Sequence, residues 1–248
     1  MLEETNEAGH PALQGFWDRG LISEVLEVVK GGKEATVYRC RACPSTGVEF
    51  LAAKVYRPLE FRSFRNDAVY QAGRPILDGH SARAFRKRSK HGREVQFGMW
   101  LGGEYETMKL LFHAGADVPW PLACGGGALL MQFIGDAEGP APLLHRAALS
   151  ADEAGRLFGQ AMRNVELFLA CDRVHGDLSA FNMLYWRGRL TIIDFPQAVD
   201  PRTNPNAYAL LRRDVENVCR GFARHGVQAD AGRLAAELWA RWLRGEMR

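Results

Sequence analysis

A set of polar residues between two apolar segments constrains this chain more than any other feature. Asp177 is followed five residues later by Asn182, and Asp194 comes directly after the apolar run 190–193. Amide and carboxylate oxygens are hard ligands that suit Mg²⁺, and a further carboxylate can accept or orient a hydroxyl proton. These residue types also favour turns, but the apolar runs on either side place all three at the edge of a strand-loop-strand unit. The spacing therefore predicts a phosphoryl-transfer site, with Asp177 acting on the hydroxyl and with Asn182 and Asp194 holding Mg²⁺ on the phosphates of ATP.

Length and composition set the broad class. The chain has 248 residues, of which 47% are apolar, so it can form one large domain or two small ones around a packed core. Its net charge of +3 does not by itself indicate a nucleic-acid or membrane partner. No apolar run is long enough to span a bilayer, and the first residues are acidic. We therefore expect a cytoplasmic protein that does not bind membranes.

The cysteines do not predict a disulfide framework, because five is an odd number in a chain of this length. Cys40 and Cys43 form a C-x-x-C pair, but no second pair of cysteines or histidines stands at the spacing of a zinc finger. We expect these two residues to be reduced thiols at the end of a strand.

Three segments rich in strand-forming residues predict an antiparallel meander near the N-terminus. They cover 21–29, 35–40 and 50–56, and a glycine turn at 30–34 joins the first two. Backbone amides in such a turn can approach phosphates, although hairpins use glycine for many other reasons. Lys54 interrupts an otherwise apolar strand, and a buried cation is costly unless a carboxylate pairs with it. The alternative is a lysine on the solvent face of an edge strand.

A carboxylate partner for Lys54 stands in the next helical segment, 97–114. Apolar and aromatic residues recur there at helical spacing, and Glu104 lies on or near their face. We therefore expect an ion pair between Lys54 and Glu104. Glu106 points elsewhere and provides a control.

The segment 57–93, between the third strand and this helix, is strongly basic. It holds ten Lys or Arg residues against three acids, a local balance of +7. Loops of this length usually have a function or are disordered. The cluster of Arg86, Lys87, Arg88 and Lys90 suits the phosphate backbone of RNA, as in a ribosomal particle, or an acidic partner. A solvated and partly disordered loop is the alternative.

Two further strands are expected at 119–123 and 128–134, joined by a glycine turn. Exposed backbone at Gln132 and Ile134 can hydrogen-bond a nucleotide base, and Met131 then borders the base pocket. Met131 is equally compatible with a core position.

The rest of the chain is predicted to be mainly helical. The boundary between two lobes is expected at 135–140, and helices are expected at 141–174, 206–225 and 228–246. Ser150 followed three residues later by Glu153 has the pattern of a capping box, and the apolar stripes of these helices indicate core packing.

In chain order, several blocks resemble the RIO family of atypical serine/threonine protein kinases, of the bacterial type without an N-terminal winged helix. The similarity covers roughly residues 15–226. Its main blocks are G-K-E-A-T-V-Y at 32–38, A-K-V-Y at 53–56, M-Q-F-I-G at 131–135, H-G-D-L-S-A-F-N at 175–182 and I-D-F-P-Q-A-V at 193–199. The blocks are specific together and in this order, whereas none is specific alone.

The resemblance implies an α+β, two-lobed fold like that of protein kinases. The N-lobe would be an antiparallel β-sheet with one long helix, and the C-lobe would be truncated and mainly helical. The chain then divides into an N-terminal arm at 1–14, an N-lobe at 15–134 that includes the basic insert, and a C-lobe at 135–248.

The resemblance also implies an ATP-dependent kinase that autophosphorylates, with Mg²⁺ or alternatively Mn²⁺ as its ion and an unspecified protein substrate. Lys54 would hold the α and β phosphates and pair with Glu104, and Asp177 would be the catalytic base. Asn182 and Asp194 would hold the metal, and Asp194 is a candidate for a transient aspartyl-phosphate through which ATP is slowly hydrolysed. The remaining ATP contacts are expected from the glycine turn and the segment between the lobes: Gly31, Gly32, Lys33, Glu34, Ala35, Thr36, Val37, Met131, Gln132 and Ile134.

Two departures from ordinary protein kinases stand out. The glycine turn is shorter than G-x-G-x-x-G, and D-F-P at 194–196 replaces D-F-G, so the flexible switch that the last glycine permits is not expected.

Two other functions remain open from the sequence. A small-molecule kinase like the aminoglycoside or sugar phosphotransferases shares the 175–182 pattern, although the block at 32–35 argues against it. A nucleotide-gated factor that binds ribosomal RNA through the basic insert is the other.

Overall fold

The structure, a computed structural model, describes residues 10–57 and 90–247, with the backbone alone at 90–97, 99 and 100. Most of the N-terminal arm and nearly all of the basic insert therefore lie outside the described residues. This includes the side chains of Arg86, Lys87, Arg88 and Lys90, which carry the expected RNA contacts.

The N-lobe is built on a five-stranded antiparallel sheet with the order β1-β2-β3-β5-β4. Its strands are β1 (Ile22–Gly31), β2 (Ala35–Ala42), β3 (Phe50–Tyr56), β4 (Pro121–Gly125) and β5 (Ala128–Gln132). The third strand has the bounds expected from its apolar run. The last strand ends two residues earlier than expected, because the chain turns away from the sheet after Gln132.

Cross-strand pairing decides which side chains of the sheet face the C-lobe. Val37 pairs with Lys54, and Arg39 pairs with Ala52. Directly paired residues lie on the same face of a sheet, so these four side chains share the face on which Lys54 meets its partners.

The opposite face of the sheet is covered by the segment that precedes it. A 3₁₀ helix (Pro11–Leu13) and helix α1 (Gln14–Asp18) place Leu13 and Phe16 against the sheet, where both side chains are buried. Leu13 is 0% exposed, so packing of the N-lobe begins before residue 15, earlier than the expected end of the arm. Burial in this cluster raises the pKa of the Cys40 thiol to about 12, and Cys40 is not disulfide-bonded.

Helix α2 (Lys90–His113) links the sheet to the rest of the chain. It begins earlier than the expected residue 97 and ends beside Gly115, whose φ of 79° suits glycine at a helix terminus. Its buried residues Leu101, Met108 and Leu111 face the core, so the helix packs beside the sheet.

The C-lobe is mainly helical, with two small hairpins. The first hairpin is β6 (Gly135–Asp136) with β7 (Gly139–Pro140), and the second is β8 (Met183–Trp186) with β9 (Arg189–Ile192). Its helices are α3 (Ala151–Ala170), α4 (Ala207–Ala223) and α5 (Ala231–Leu243). The last two lie within the segments expected to be helical.

The expectation of helix throughout 141–174 is wrong for its first ten and its last four residues. Pro142 accepts a hydrogen bond from the Tyr185 amide, and Leu143 forms a β-bridge with Leu184. A short 3₁₀ helix (Leu144–Arg146) follows, and α3 begins only where the Ser150 side chain caps the Glu153 amide. Contacts with the β8 strand thus override helix formation before the cap.

The main apolar core extends from the N-lobe into the C-lobe. It includes Met108 and Leu129 from the N-lobe and Phe168, Phe195 and Phe222 from the C-lobe. Among the residues that the structure describes, no helix has both the length and the apolar character needed to cross a bilayer.

Candidate functional site

Lys54 lies at the centre of the cleft between the two lobes. Its side chain is nearly buried, and Nζ lies 2.9 Å from Glu104 Oε1 and 2.5 Å from Asp194 Oδ1. Burial alone would lower the pKa of Lys54, but the two carboxylates outweigh it and hold that pKa well above its ordinary value. Lys54 is therefore a permanent cation that joins the sheet, helix α2 and the C-lobe.

Glu104 has three partners and almost no contact with solvent. Besides the ion pair with Lys54, which was expected from the sequence, it accepts hydrogen bonds from the Tyr56 hydroxyl and from the backbone amide of Phe195. Burial and the neighbouring Glu104 charge raise the pKa of Tyr56 well above its usual range, so its hydroxyl remains a donor. Glu106, two residues along, is exposed and pairs only loosely with Lys109 at 3.5 Å.

His175 supports the loop that carries Asp177. Its Nδ1 accepts the Asp177 amide at 3.3 Å, so its Nε2 carries the proton and donates to Ile193 O at 3.2 Å. Burial lowers the pKa of His175 to about 4, and the neutral ring packs against Phe168 and Phe195. The imidazole thus connects the Asp177 loop to the segment that ends in Asp194, without adding charge.

Asp177 is exposed to the cleft, whereas the residues on either side of it, Gly176 and Leu178, are buried. Burial of part of the carboxyl raises the pKa of Asp177, and the Asp194 charge adds to this, while Arg213 and Asn182 act against it. Arg213 also donates to the carbonyl oxygen of Gly176, next to Asp177. A carboxylate with a raised pKa is a better proton acceptor than an ordinary one.

Asn182 and Asp194 present oxygen atoms that suit Mg²⁺. The amide nitrogen of Asn182 donates to Asp177 O at 2.7 Å, which leaves its amide oxygen for another partner. Asp194 keeps 40% of its side chain exposed despite the ion pair. Burial would raise its pKa, but Lys54 lowers it below the ordinary value, so Asp194 is ionised at neutral pH.

This donor set fits a nucleotide-bound Mg²⁺ better than an all-protein site. No cluster of three or more His, Cys, Asp or Glu residues suited to a metal occurs within 10–57 and 90–247. Mg²⁺ usually takes one or two protein ligands and completes its shell with phosphate oxygens and water. Asn182 and Asp194 match that requirement in number and type.

Asp194 has an unusual backbone conformation. Its φ is 76°, a left-handed value that is uncommon for residues other than glycine. The β8–β9 hairpin delivers the chain to this point, and the Ile193 amide bonds to Asn182 O at 3.0 Å. The two expected metal ligands are therefore held together by their own backbone.

The glycine turn lies at the end of β1 and closes on itself. Gly31 pairs with Thr36, and the Gly32 amide donates to Ala35 O at 2.9 Å. A Cβ at residue 32 would lie 3.1 Å from that oxygen, which explains the glycine. The Gly32 amide is therefore committed within the turn, whereas Lys33 is exposed and Val37 lies on the Lys54 face.

The two residues expected to contact the base, Gln132 and Ile134, lie in the segment between the lobes. The Gln132 amide donates to Trp120 O, and Ile134 O accepts from Ala141. Within the described residues, the Ile134 amide has no hydrogen-bond acceptor. Met131 is half-buried and packs against the main core, and its place beside a base stays a prediction.

Arg39 contacts the chain directly after this segment. It was not among the residues predicted from the sequence. Its guanidinium donates to the carbonyl oxygens of Asp136 and Ala137 at 2.9 and 3.0 Å and lies over the rings of Phe50 and Phe133. It ties β2 of the N-lobe to the chain beyond Gln132 and Ile134, the residues expected to contact the base. A cation in the middle of a strand, the same signal that identified Lys54, marks it.

Asp214 on helix α4 was also missed. It is buried, and its two carboxylate oxygens accept the amides of Gly176 and Leu178 at 2.7 and 2.9 Å. The position interrupts the apolar face formed by Leu211 and Val218, so a buried charge in an amphipathic pattern was visible in the sequence. Asp214 fixes the backbone on both sides of Asp177.

We predict that Glu104→Gln destabilises the protein while Glu106→Gln does not. The neutral amide of Glu104→Gln would leave Lys54 with a single anion and weaken the bond from Tyr56, so the free energy of unfolding should fall by about 1–3 kcal/mol. Glu106 is exposed, so Glu106→Gln should change the free energy of unfolding by less than about 0.5 kcal/mol. Equal losses in urea unfolding of the two variants would contradict this account of the cleft.

We also predict that Asp214 makes stability depend on pH. Burial raises the pKa of Asp214 to about 7, so its contribution is fully present below the ordinary carboxyl pKa and is lost as pH rises through 7. Wild type should lose up to about 1.4 kcal/mol per pH unit relative to Asp214→Asn between pH 5 and pH 7. Urea unfolding across this range measures the difference, and Glu216→Gln on the same helix is the control. A constant difference at all pH values would count against it.

Comparison with known proteins finds a matching family model and several relatives. A model of the RIO domain matches residues 36–234. The serine/threonine-protein kinase RIO1 of Caenorhabditis elegans is 33% identical over 214 residues, covering 84% of this chain and 39% of that protein. The human RIO1 is 34% identical, covering 84% of this chain and 35% of its own length. The chain thus spans well under half of these relatives.

An archaeal relative and a solved structure are similar over more of their length. The RIO-type serine/threonine-protein kinase Rio1 of Haloferax volcanii is 31% identical, covering 92% of this chain and 73% of its own length. The crystal structure of the Rio2 kinase-ADP/Mg²⁺-phosphoaspartate complex from Chaetomium thermophilum superposes with a TM-score of 0.66. At 22% identity it covers 91% of this chain and 64% of that chain, and the likeness shows the fold to be the two-lobed α+β fold of kinases.

Proposed function

This chain belongs to the RIO family, and we propose that it is an ATP- and Mg²⁺-dependent serine/threonine protein kinase that phosphorylates itself. The observation that carries the proposal is the position of Lys54 Nζ between Glu104 and Asp194, carboxylates of the two lobes, at 2.9 and 2.5 Å. The relatives named above are serine/threonine-protein kinases, which favours a protein hydroxyl over a small-molecule acceptor.

The nucleotide would lie between the sheet and the C-lobe. The amide of Ile134, which has no acceptor among the described residues, would donate to the base, and Met131 would lie beside it. Gln132 would shape the segment through the hydrogen bond from its amide to the Trp120 carbonyl. The turn from Gly31 to Val37 would cover the phosphates. Its exposed members, such as Lys33, are available for this role, whereas the Gly32 amide keeps the turn closed.

The transfer step would use three side chains of the C-lobe. Asp177, whose pKa is raised mainly by burial, would accept the proton of the attacking hydroxyl as the new O–P bond forms and the bond to ADP breaks. Asn182 and Asp194 would hold Mg²⁺, which neutralises charge on the phosphates when it is bound. Lys54 would stabilise the same oxygens from the N-lobe.

Asp194 is also the proposed acceptor in a slow ATP hydrolysis. Its carboxylate is ionised and 40% exposed, so an oxygen can attack the terminal phosphorus and release ADP. Water would then attack the acyl phosphate, which releases inorganic phosphate and regenerates the carboxylate. The solved Rio2 complex is described as containing a phosphoaspartate together with ADP and Mg²⁺.

We expect Asp177→Ala to lower self-labelling by [γ-³²P]ATP and Mg²⁺ by about 10² to 10⁴-fold, the contribution of a positioned acid–base group. Asp18→Ala removes an exposed carboxyl on helix α1 and should leave the rate unchanged. Equal labelling of wild type and Asp177→Ala would contradict the role of Asp177. Hydroxylamine, which cleaves acyl phosphates but not phosphoserine, would separate label on Asp194 from label on a hydroxyl.

The basic insert supports a second proposal, that the protein binds RNA or a ribosomal particle. The segment 57–93 carries a charge of +7. We also propose the cytoplasmic location that was expected from the sequence, where such a partner would be encountered.

We expect single-stranded RNA to bind with an affinity that falls steeply with salt. Neutralising Arg86, Lys87, Arg88 and Lys90 with alanine should reduce the slope of log K against log salt by about 0.7 for each phosphate that these residues neutralise in the wild type. A control with the same reduction in charge is the alanine variant of four exposed C-lobe residues: Arg163, Arg212, Arg220 and Arg233. Equal RNA affinity of the two variants in fluorescence anisotropy would argue against the insert.

A further inference from the structure

Lys30 lies at the end of β1, directly before the glycine turn. Its pairing partner on β2 is Val37, and Val37 in turn pairs with Lys54 on β3. Residues paired directly across antiparallel strands lie on the same face of a sheet. The register of β1 shifts between Val28 and Lys30, and the pairing after this shift places the three side chains in one row on the face that looks into the cleft.

The row that contains Lys30 and Lys54 is not the row that leads to the expected base-binding segment. Lys54 pairs with Leu129 on β5, whereas the neighbouring row runs from Arg39 through Ala52 to Met131. Met131 leads directly into the segment between the lobes. Lys30 is thus level with Lys54 and one row away from the base.

The positive charge of Lys30 acts on the C-lobe. It contributes, after burial and two arginines, to lowering the pKa of His145. This agrees with the strand pairing, which places Lys30 on the face of the sheet that is turned toward the C-lobe.

Lys30 and Lys54 differ in their ion pairs. Lys54 is balanced by Glu104 and Asp194. Lys30 is exposed, and in the described part of the chain it forms no ion pair. The cleft holds the carboxylates of Glu104, Asp177 and Asp194, and the cations Lys54 and Arg213 act on them. A further cation without a carboxylate partner would favour an anionic polyphosphate.

We propose that Lys30 is a second phosphate-binding cation, which contacts the terminal phosphates of the nucleotide from the glycine turn. The assignment rests on the proposed function, because it requires that a nucleotide polyphosphate binds in this cleft. It adds to the expected contacts of the turn a residue outside the 31–37 block, placed there by the register of β1.

The test is to measure binding of Mg·ATP, Mg·ADP and AMP to the full chain by isothermal titration calorimetry. Lys30→Met should weaken Mg·ATP binding about three- to thirtyfold, as expected for a hydrogen-bonded charge that is partly screened by solvent. Mg·ADP should be affected less and AMP not at all. Lys30→Arg should retain most of the affinity, and the effect of Lys30→Met should shrink as salt is raised.

Lys109→Met is the matched control, because it removes the same charge from the exposed side of helix α2 and should leave all three affinities unchanged. Equal Mg·ATP affinity of wild type and Lys30→Met would overturn the assignment of Lys30 and leave the proposed function intact. An equal reduction for ATP and AMP would also overturn it, because it would indicate a distorted turn. Failure of wild type to bind any of the three nucleotides would instead remove the proposed function, and the Lys30 assignment with it.

Discussion

The ion pairs of Lys54 are the interaction on which the cleft depends. A lysine in the middle of an apolar strand is tolerated only because two carboxylates approach it, one from helix α2 and one from the C-lobe. Satisfying that one charge fixes the position of α2 against the sheet and of the β9 strand end against both. The remaining groups of the site are placed around these three charges.

Two buried side chains of the C-lobe, His175 and Asp214, hold the loop that carries Asp177. His175 stays neutral and connects the Asp177 amide to the carbonyl of Ile193, while Asp214 accepts two amides from the same loop. Both groups are buried and do not reach the cleft. The loop is therefore held by its backbone, which leaves the carboxyl of Asp177 and the amide oxygen of Asn182 available for chemistry.

Much of the site could be predicted from the sequence because buried charges are costly. Lys54 in an apolar strand and Glu104 on an apolar helix face each require a partner, and their meeting follows from that need. The same reasoning would have identified Asp214 and Arg39, which also interrupt regular patterns. Other details could not be predicted, because they depend on strand register and distant hydrogen bonds. The commitment of the Gln132 amide to Trp120 is one example, and the β-bridge that excludes helix at Leu143 is another.

The hydrogen bond from the Phe195 amide to Glu104 has a consequence for how the cleft can change. The same Glu104 oxygen accepts from Lys54 and from the peptide that follows Asp194, so withdrawal of α2 breaks both bonds at once. Helix displacement and release of the Asp194 backbone are thus one event. Because residue 196 is proline and not glycine, the backbone after Asp194 has less freedom to adjust to such a movement.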